Sequence, residues 1–188
     1  MDKNGVISDV KTWIDDFVTK PNPLLNNMPP CPYAKQAILD KKIDIQVPDE
    51  GSISYNITKT IETWNKDLDI VLLVYDPKKH TGELFEKIII NANGAIDSSF
   101  VLLDDHPDNV ENINGVHMNN GKYAIVFIQR TKKLQEAHEY LKTKTNYYDV
   151  WNKENLDDVV NWRLNRLKKK KFYPTHLKKI TYYNIHTL

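Results

Sequence analysis

The stretch from Ser98 to Arg130, SSFVLLDDHPDNVENINGVHMNNGKYAIVFIQR, contains the features that decide the fold of this chain. Its two apolar runs, Phe100–Leu103 and Tyr123–Ile128, have the length and composition of buried β-strands. Between the runs lies the densest group of metal-ligand and proton-carrying residue types in the chain, which comprises Asp104, Asp105, His106, Asp108, Glu111 and His117. We therefore expect the core to form around the two strands and the chemistry to lie on the polar segment.

On either side of this stretch, strand-like and helix-like segments alternate. Residues 43–47 alternate between apolar and polar side chains, as in a half-buried strand. Residues 69–75, DIVLLVY, form an apolar run typical of a central strand. Apolar residues at helical spacing predict helices at about residues 7–19, 33–39, 54–65, 81–93 and 132–143. This order predicts an α/β fold, in which a mixed, partly parallel sheet of four to five strands is flanked by helices.

Two features predict how the strands pair. The strand–helix–strand order of the middle section predicts right-handed crossovers and parallel pairing. Asn120-Gly121 is a strong signal for a tight hairpin turn that leads into the strand starting at Tyr123. We therefore expect the residues before this turn to pair with that strand in antiparallel fashion.

The length of 188 residues suits one domain with a short appendage. We expect an α/β domain at residues 1–145, with the Pro-rich segment 20–32 packed on it. The prolines make that segment stiff and extended, and its apolar side chains favour contact with the domain. Residues 146–188 are expected to form an aromatic and basic helical extension.

The net charge of +1 hides an uneven distribution. Residues 161–188 contain eight Lys or Arg and no Asp or Glu, so the rest of the chain carries −7. Positive charge interleaved with aromatic side chains is what single-stranded nucleic acid binding uses. The residues predicted to bind an anion or nucleic acid are Arg163, Arg166, Lys168, Lys169, Lys170 and Lys171. The alternative is a helix end that packs on the acidic domain or on a second subunit, which would make the protein a homo-oligomer.

The single cysteine, Cys31, excludes an internal disulfide framework and fits a reducing compartment. The first residues, MDKNGVISDV, lack the charged start and apolar block of a secretory signal. No apolar run approaches the roughly 20 residues needed to cross a bilayer. We therefore expect a cytoplasmic protein without a membrane segment.

Asp104, Asp105 and His106 follow a predicted strand at its carboxyl end, where ligands bind in parallel sheets. Imidazole and carboxylate groups suit a divalent metal, and His117 would add a second imidazole. The sequence thus predicts an iron or zinc site formed by Asp104, His106 and His117, although no specific motif such as H-E-x-x-H is present. The alternative is a capped turn without metal, since Asp and Asn are common in turns for local hydrogen-bonding reasons.

Cys31 lies just before a short predicted helix, whose N-terminal partial charge would stabilise a thiolate. Such a thiol suits a nucleophile, a redox group or a metal ligand. The alternative is a small buried apolar side chain, which is the commonest role of a free cysteine. Together with Asp105 and His106, Cys31 forms the predicted catalytic set.

The opening helix, the Cys-Pro-Tyr-Ala segment and the later His-Pro pair resemble a family of small bacterial proteins with a Cys-Pro-Phe-Ala motif and no assigned activity. The matching positions are Trp13, Cys31, Pro32, Ala34, His106 and Pro107. The resemblance covers residues 10–140 in outline, with Tyr33 in place of the family's Phe and no counterpart of the basic extension. It implies a paired role for Cys31 and His106.

These features predict a small cytoplasmic enzyme that depends on iron or zinc, or on a thiol, and acts on a small molecule. Its site would lie at the strand ends and contain His106, His117, Asp104 or Asp105, and Cys31. The alternative is a non-catalytic adaptor whose basic extension binds nucleic acid or an acidic protein. The sequence identifies neither the substrate nor the reaction.

Overall fold

The computed structural model describes residues 1–162 and shows an α/β fold, as the sequence predicts. The strands are β1 (Ile43–Gln46), β2 (Ile70–Tyr75), β3 (Phe100–Asp105), β4 (Asn112–Ile113), β5 (Val116–His117) and β6 (Ala124–Arg130). The helices are α1 (Lys3–Trp13), α2 (Ala34–Leu39), α3 (Ile53–Glu62), α4 (Gly82–Ala95), α5 (Thr131–Lys144) and α6 (Lys153–Leu156). Wider π-helical turns continue α1 to Val18 and α6 to Asn161.

The main sheet has four strands in the order β1-β2-β6-β3. β1 and β2 are parallel, as predicted, and β6 is antiparallel to both of its neighbours. The prediction of parallel pairing is wrong for β2 and β3, because β6 lies between them. The carboxyl ends of β1, β2 and β3 nevertheless meet at one edge of the sheet, together with the amino end of β6.

The predicted hairpin at Asn120-Gly121 is wrong, because β5 pairs with β4 in a separate two-stranded ribbon. Its tight turn is Asn114-Gly115, where both residues have positive φ, of 51° and 86°, as the favoured hairpin turns require. Asn120 instead binds buried Asp105 through its backbone N–H and its side-chain amide. Residues 120–121 therefore belong to a loop that is held by Asp105 and do not form the turn of a hairpin.

Alternation along the strands sends apolar side chains to both faces of the sheet. On one face, α3 and α4 cover a core of Ile53, Ile57, Val71, Leu73, Phe85, Ile89, Phe100, Leu102, Val126 and Ile128. On the other face, α1 covers a smaller core that includes Val6, Val10, Ile14, Leu72, Val74 and Ile125. Phe127, towards the β3 side of this second face, is only part-buried. The sheet is therefore incompletely covered beside Phe127, which leaves room for a cleft.

The Pro-rich segment packs on the domain through Leu25, which is fully buried against Ile113 and Val116. Tyr147 is also buried, and its hydroxyl donates a hydrogen bond of 2.5 Å to the carbonyl of Pro30. The start of the predicted extension is therefore joined to this segment. The six basic residues predicted to bind an anion, Arg163, Arg166 and Lys168–Lys171, lie outside the described residues.

Candidate functional site

A cleft of about 730 Å³ lies beside β3, and its lining includes Phe127 from one face of the sheet and Asp104 and Glu86 from the face that α4 covers. Its walls include α1, residues 30–34, α5 and the segment from residue 147 to residue 160. Four predicted site residues lie on its lining, namely Cys31, Asp104, Asp105 and His106. His117 is not among the lining residues. The structure thus brings the strand-end residues and the thiol to one cleft and leaves the second histidine outside it.

The ring of His106 is buried, with 1% of its surface exposed, and both of its nitrogens are engaged. Nε2 lies 3.3 Å from the carbonyl oxygen of Pro77 and 3.1 Å from that of His80. Nδ1 accepts a hydrogen bond of 3.1 Å from the backbone N–H of Asp108. Carbonyl oxygens only accept hydrogen bonds, so Nε2 carries a proton. His106 therefore links the loop after β2 to the loop after β3.

These contacts do not fit the predicted metal site. A metal ligand needs a free nitrogen lone pair, and the Nδ1 lone pair of His106 is already used by Asp108. His117 is exposed on the β4–β5 ribbon. Within residues 1–162, no three His, Cys, Asp or Glu side chains are grouped so that they could hold a metal ion. The predicted iron or zinc site thus has no support from the described residues.

Asp105 is buried and holds the loop that leads into β6. Its carboxylate accepts hydrogen bonds from the side-chain amide of Asn119 and from the backbone and side-chain N–H groups of Asn120, at 2.8 to 3.1 Å. Burial raises the pKa of Asp105, and these donors counteract that rise by stabilising the charged form. Asp105 therefore shapes the edge of the cleft.

Asp104 faces the opposite side of the strand from Asp105, because successive side chains of a strand alternate. Its side chain shares the sheet face of Val126, which α4 covers, and part-buried Asp104 lines the β3 edge of the cleft with Glu86 of α4 and Glu111. Burial, with the negative charges of Glu86, Glu111 and Asp105, raises its pKa to about 7. The carboxyl group of Asp104 is therefore divided between its protonated and charged forms near neutral pH.

Cys31 lies on the cleft lining with an exposed side chain. Its backbone N–H donates to the carbonyl of Val18 at 3.0 Å, which fixes the start of the α2 segment on α1. The neighbouring Tyr33 hydroxyl donates to the carbonyl of Ala137 at 2.7 Å. Since both nitrogens of His106 bind backbone groups, the ring of His106 is not positioned as a base for this thiol. Their paired role stays a prediction.

The cleft also contains residues that the sequence did not single out. Aromatic side chains supply much of its lining, namely Trp13, Phe17, Tyr33, Phe127, Tyr147, Tyr148 and Trp151. Glu86 and His138 lie there as well, and burial, with Lys142, lowers the pKa of His138. The aromatic density of residues 147–151 was the available signal, but nothing in the sequence placed that segment opposite β3.

The loop after β3 packs tightly on the first turn of α4. The backbone N–H of Gly82 donates to Oδ2 of Asp108 at 3.2 Å, and Nδ2 of Asn109 donates to the carbonyl of Gly82 at 3.1 Å. A Cβ on Gly82 would lie 2.2 Å from Oδ1 and 2.8 Å from Cγ of Asn109. Only glycine fits here without displacing Asn109.

We therefore expect Gly82→Ala to lower the free energy of unfolding by about 1 to 2 kcal/mol, since the cost of overpacking exceeds the gain in helix propensity. Urea unfolding followed by circular dichroism measures this change. Removing the obstructing side chain in the double variant Gly82→Ala/Asn109→Ala should make the cost of Gly82→Ala smaller. An undiminished cost in the double variant would contradict the steric explanation.

A second groove, of about 750 Å³, runs between β1 and α3 on the opposite edge of the sheet. Its lining includes Asp44, Asp49, Glu50 and Lys59 but none of the predicted site residues. None of its described lining residues is a histidine or a cysteine. The cleft beside β3 is therefore the candidate site.

Comparisons with protein-family models, curated proteins and solved structures give no match for this chain. The resemblance to bacterial proteins with a Cys-Pro-Phe-Ala motif stays a prediction. Among the helices of residues 1–162, none is both long and apolar enough to cross a membrane. Function must accordingly be argued from the site itself.

Proposed function

We propose that the cleft beside β3 is the active site of an enzyme that transfers protons on a small molecule, with Asp104 as the acid–base group. One observation carries this proposal: Asp104, which is part-buried, is among the residues that line a cleft of about 730 Å³. Clefts of roughly 300 to 1,000 Å³ are the usual size of small-molecule sites. An apolar and aromatic lining with a few polar groups is also typical of them.

The surroundings of Asp104 suit general acid–base catalysis. Its pKa of about 7 leaves comparable amounts of acid and base near neutral pH, where a proton carrier is most effective. A bound molecule would exclude further water and strengthen the interaction between the carboxyl and the reacting atom. Asp104 would then take a proton from one atom of the substrate and return it to another.

Asp105 and His106 act in this proposal as positioning residues. Asp105 fixes the loop of Asn119 and Asn120, and His106 fixes the loop of Pro77 and His80. Both loops lie next to the end of β3, so their rigidity holds the carboxyl of Asp104 at a constant position. Fixed geometry of this kind is a large part of what an active site supplies.

The thiol-dependent version of the reaction is a variant of the same proposal. Cys31 lines the cleft and is exposed, so a ligand in the cleft could reach its sulfur. Cys31→Ser separates the two versions, because it abolishes thiol chemistry and leaves the proton transfer of Asp104 intact. The dependence on iron or zinc stays a prediction, which metal analysis of untagged protein tests.

The test of the proposed function is untargeted. The protein is incubated with the small-molecule fraction of a cell extract, and mass spectrometry follows which compounds are consumed. We expect a compound to be converted by the parent protein and the rate to fall about 100-fold or more in Asp104→Asn, the usual contribution of a general acid or base. Asn keeps the size of Asp but cannot exchange the proton.

His117→Ala is the matched control, since His117 is exposed and lies outside the cleft lining. Its conversion rate should equal that of the parent. Conversion that persists in Asp104→Asn would remove Asp104 from the mechanism. A parent protein that neither converts nor binds any compound in the fraction would contradict the small-molecule site.

The alternative function, binding of nucleic acid or an acidic protein, depends on the basic residues between 163 and 188. These residues lie outside the described part of the chain, so the alternative stays a prediction from charge. Binding to oligonucleotides would weaken steeply with salt, because Lys and Arg side chains displace condensed counterions. Binding that survives truncation after Asn155 would exclude the extension as its cause.

A further inference from the structure

Among residues 1–162, the Asp, Glu, Lys and Arg side chains that line the cleft are all acidic. Within the described chain the lining includes five carboxylic acids, which are Glu86, Asp104, Asp105, Glu111 and Glu154. No Lys or Arg of residues 1–162 belongs to it. A cleft lined by one sign of charge concentrates ligands of the opposite sign. The lining formed by residues 1–162 therefore favours a cation over an anion.

The aromatic part of the lining favours an organic cation. Tyr147, Tyr148 and Trp151 form a cluster with ring centroids 5.0 to 5.5 Å apart and steep angles between the ring planes. Ring faces carry partial negative charge, so they attract ammonium groups, and they also bind apolar groups. Among the described residues, aromatic rings line the same cleft as the carboxylic acids.

Unpaired polar atoms give a second, independent indication of a ligand. Four residues of the lining have a buried polar atom without a hydrogen-bond partner among residues 1–162: Trp13 Nε1, Gln129 Oε1, His138 Nδ1 and Trp151 Nε1. Leaving such an atom unpaired costs about 1 to 3 kcal/mol. Gln129 Oε1 can only accept a hydrogen bond, so it requires an N–H or O–H donor. An ammonium group is such a donor; it does not pair the Nε1–H groups of Trp13 and Trp151, which are donors themselves.

We propose that the cleft accepts an organic ammonium ion, a primary or secondary amine with an apolar body. The ammonium group would donate to Gln129 Oε1 and the body would contact the rings of Tyr148 and Trp151, while the carboxylic acids, which lie further along the cleft, would attract the cation through their electric field. This inference rests on the proposed function only in taking the cleft as the substrate site. It adds the chemical class of the substrate.

Three probes of matched size and different charge test the inference: 2-phenylethylammonium, 2-phenylethanol and phenylacetate. Their affinities for the full chain at neutral pH are measured by quenching of tryptophan fluorescence, since Trp13 and Trp151 line the cleft. We expect the dissociation constant of the ammonium probe to be about 10-fold lower than that of the alcohol. Phenylacetate should bind most weakly of the three.

Gln129→Leu removes the unpaired acceptor and keeps the approximate size of the side chain. Because Oε1 has no partner, the removal of this oxygen should cost no stability. The advantage of the ammonium probe over the alcohol should fall by about 10-fold, as expected for a hydrogen bond to a charged group. An unchanged ratio would overturn the role of Gln129.

Two carboxylates provide a matched pair. Glu111→Gln removes a carboxylate of the lining, whereas Glu136→Gln removes an exposed one on α5 that lies outside it. The first should weaken binding of the ammonium probe several-fold and the second should leave it unchanged. Equal affinities for ammonium and alcohol, or tightest binding of phenylacetate, would overturn the inference and leave the small-molecule site standing. Failure of all three probes to bind would overturn the inference, whereas the proposed function fails only if the parent protein converts and binds no compound of the extract.

Discussion

Replacing His106 with Ala should lower the free energy of unfolding by about 4 kcal/mol. The substitution removes a buried ring that packs against Phe85, with 5.5 Å between ring centroids, and such truncations typically cost 3 to 5 kcal/mol. It also leaves the carbonyls of Pro77 and His80 without their shared donor. Urea unfolding at neutral pH measures the change.

His117→Ala is the control for this prediction, because the exposed ring of His117 should contribute less than about 0.5 kcal/mol. His106→Gln should recover part of the stability, since its amide N–H can take the place of the Nε2–H. Nearly equal effects of the two alanine variants would show that the ring of His106 is not the structural link described above. If His106 and His117 were both metal ligands, their alanine variants would also lose bound metal to a similar extent.

Asp104→Asn should make the protein more stable than the parent at pH 8, by about 2 kcal/mol. The pKa of Asp104 is about 7 in the folded chain and 3.8 in the reference state. Between these values the folded state binds more protons than the unfolded state, so the stability of the parent falls as pH rises from about 4 to 7. We expect roughly half of the full linkage energy, because the carboxyl is only part-buried.

The pH dependence is measured by urea unfolding of both proteins at pH 4, 6 and 8. The curves should converge towards pH 4, where the unfolded carboxyl begins to take up its proton, and diverge above it. Glu136→Gln is the control, since its exposed carboxyl on α5 should change the curve very little. A parent protein that gains stability from pH 4 to 8 relative to Asp104→Asn would show that the pKa of Asp104 is lowered instead of raised. Higher stability of the variant, combined with lost proton transfer, would be the trade-off expected of an active-site group.

Strand composition made the core predictable, but pairing order was not contained in any one segment. DIVLLVY and YAIVFI are both apolar enough for central strands, and they pair with each other in the structure. Placing β6 between β2 and β3 requires the chain to return across the sheet, a long-range contact with no local signal. The Asn-Gly dipeptides show the same limit. The turn at residues 114–115 and the loop at residues 120–121 have the same sequence signal, but the first joins two paired strands and the second binds the buried carboxylate of Asp105.

In the candidate site too, the sequence identifies the residue types and the tertiary structure decides their surroundings. Strand alternation alone separates Asp104 from Asp105, so one of two adjacent acids meets the loop amides and the other meets Glu86 and Glu111. The sequence marked both acids as chemically important and could not assign these different surroundings. Histidine is a common metal ligand, but in the structure His106 is buried against Phe85 and has a structural role.

The sequence by itself determined the α/β class, the apolar strands, most helices and the location of the polar residues at the end of β3. These depend on periodicity and composition, which act over a few residues. Tertiary structure decided the order of the strands, the hydrogen-bond partners of His106 and the raised pKa of Asp104. It also decided that Trp151, Tyr148 and Gln129 face one cleft. Burial and charge at a site depend on side chains that are distant along the chain, and only folding brings those side chains together.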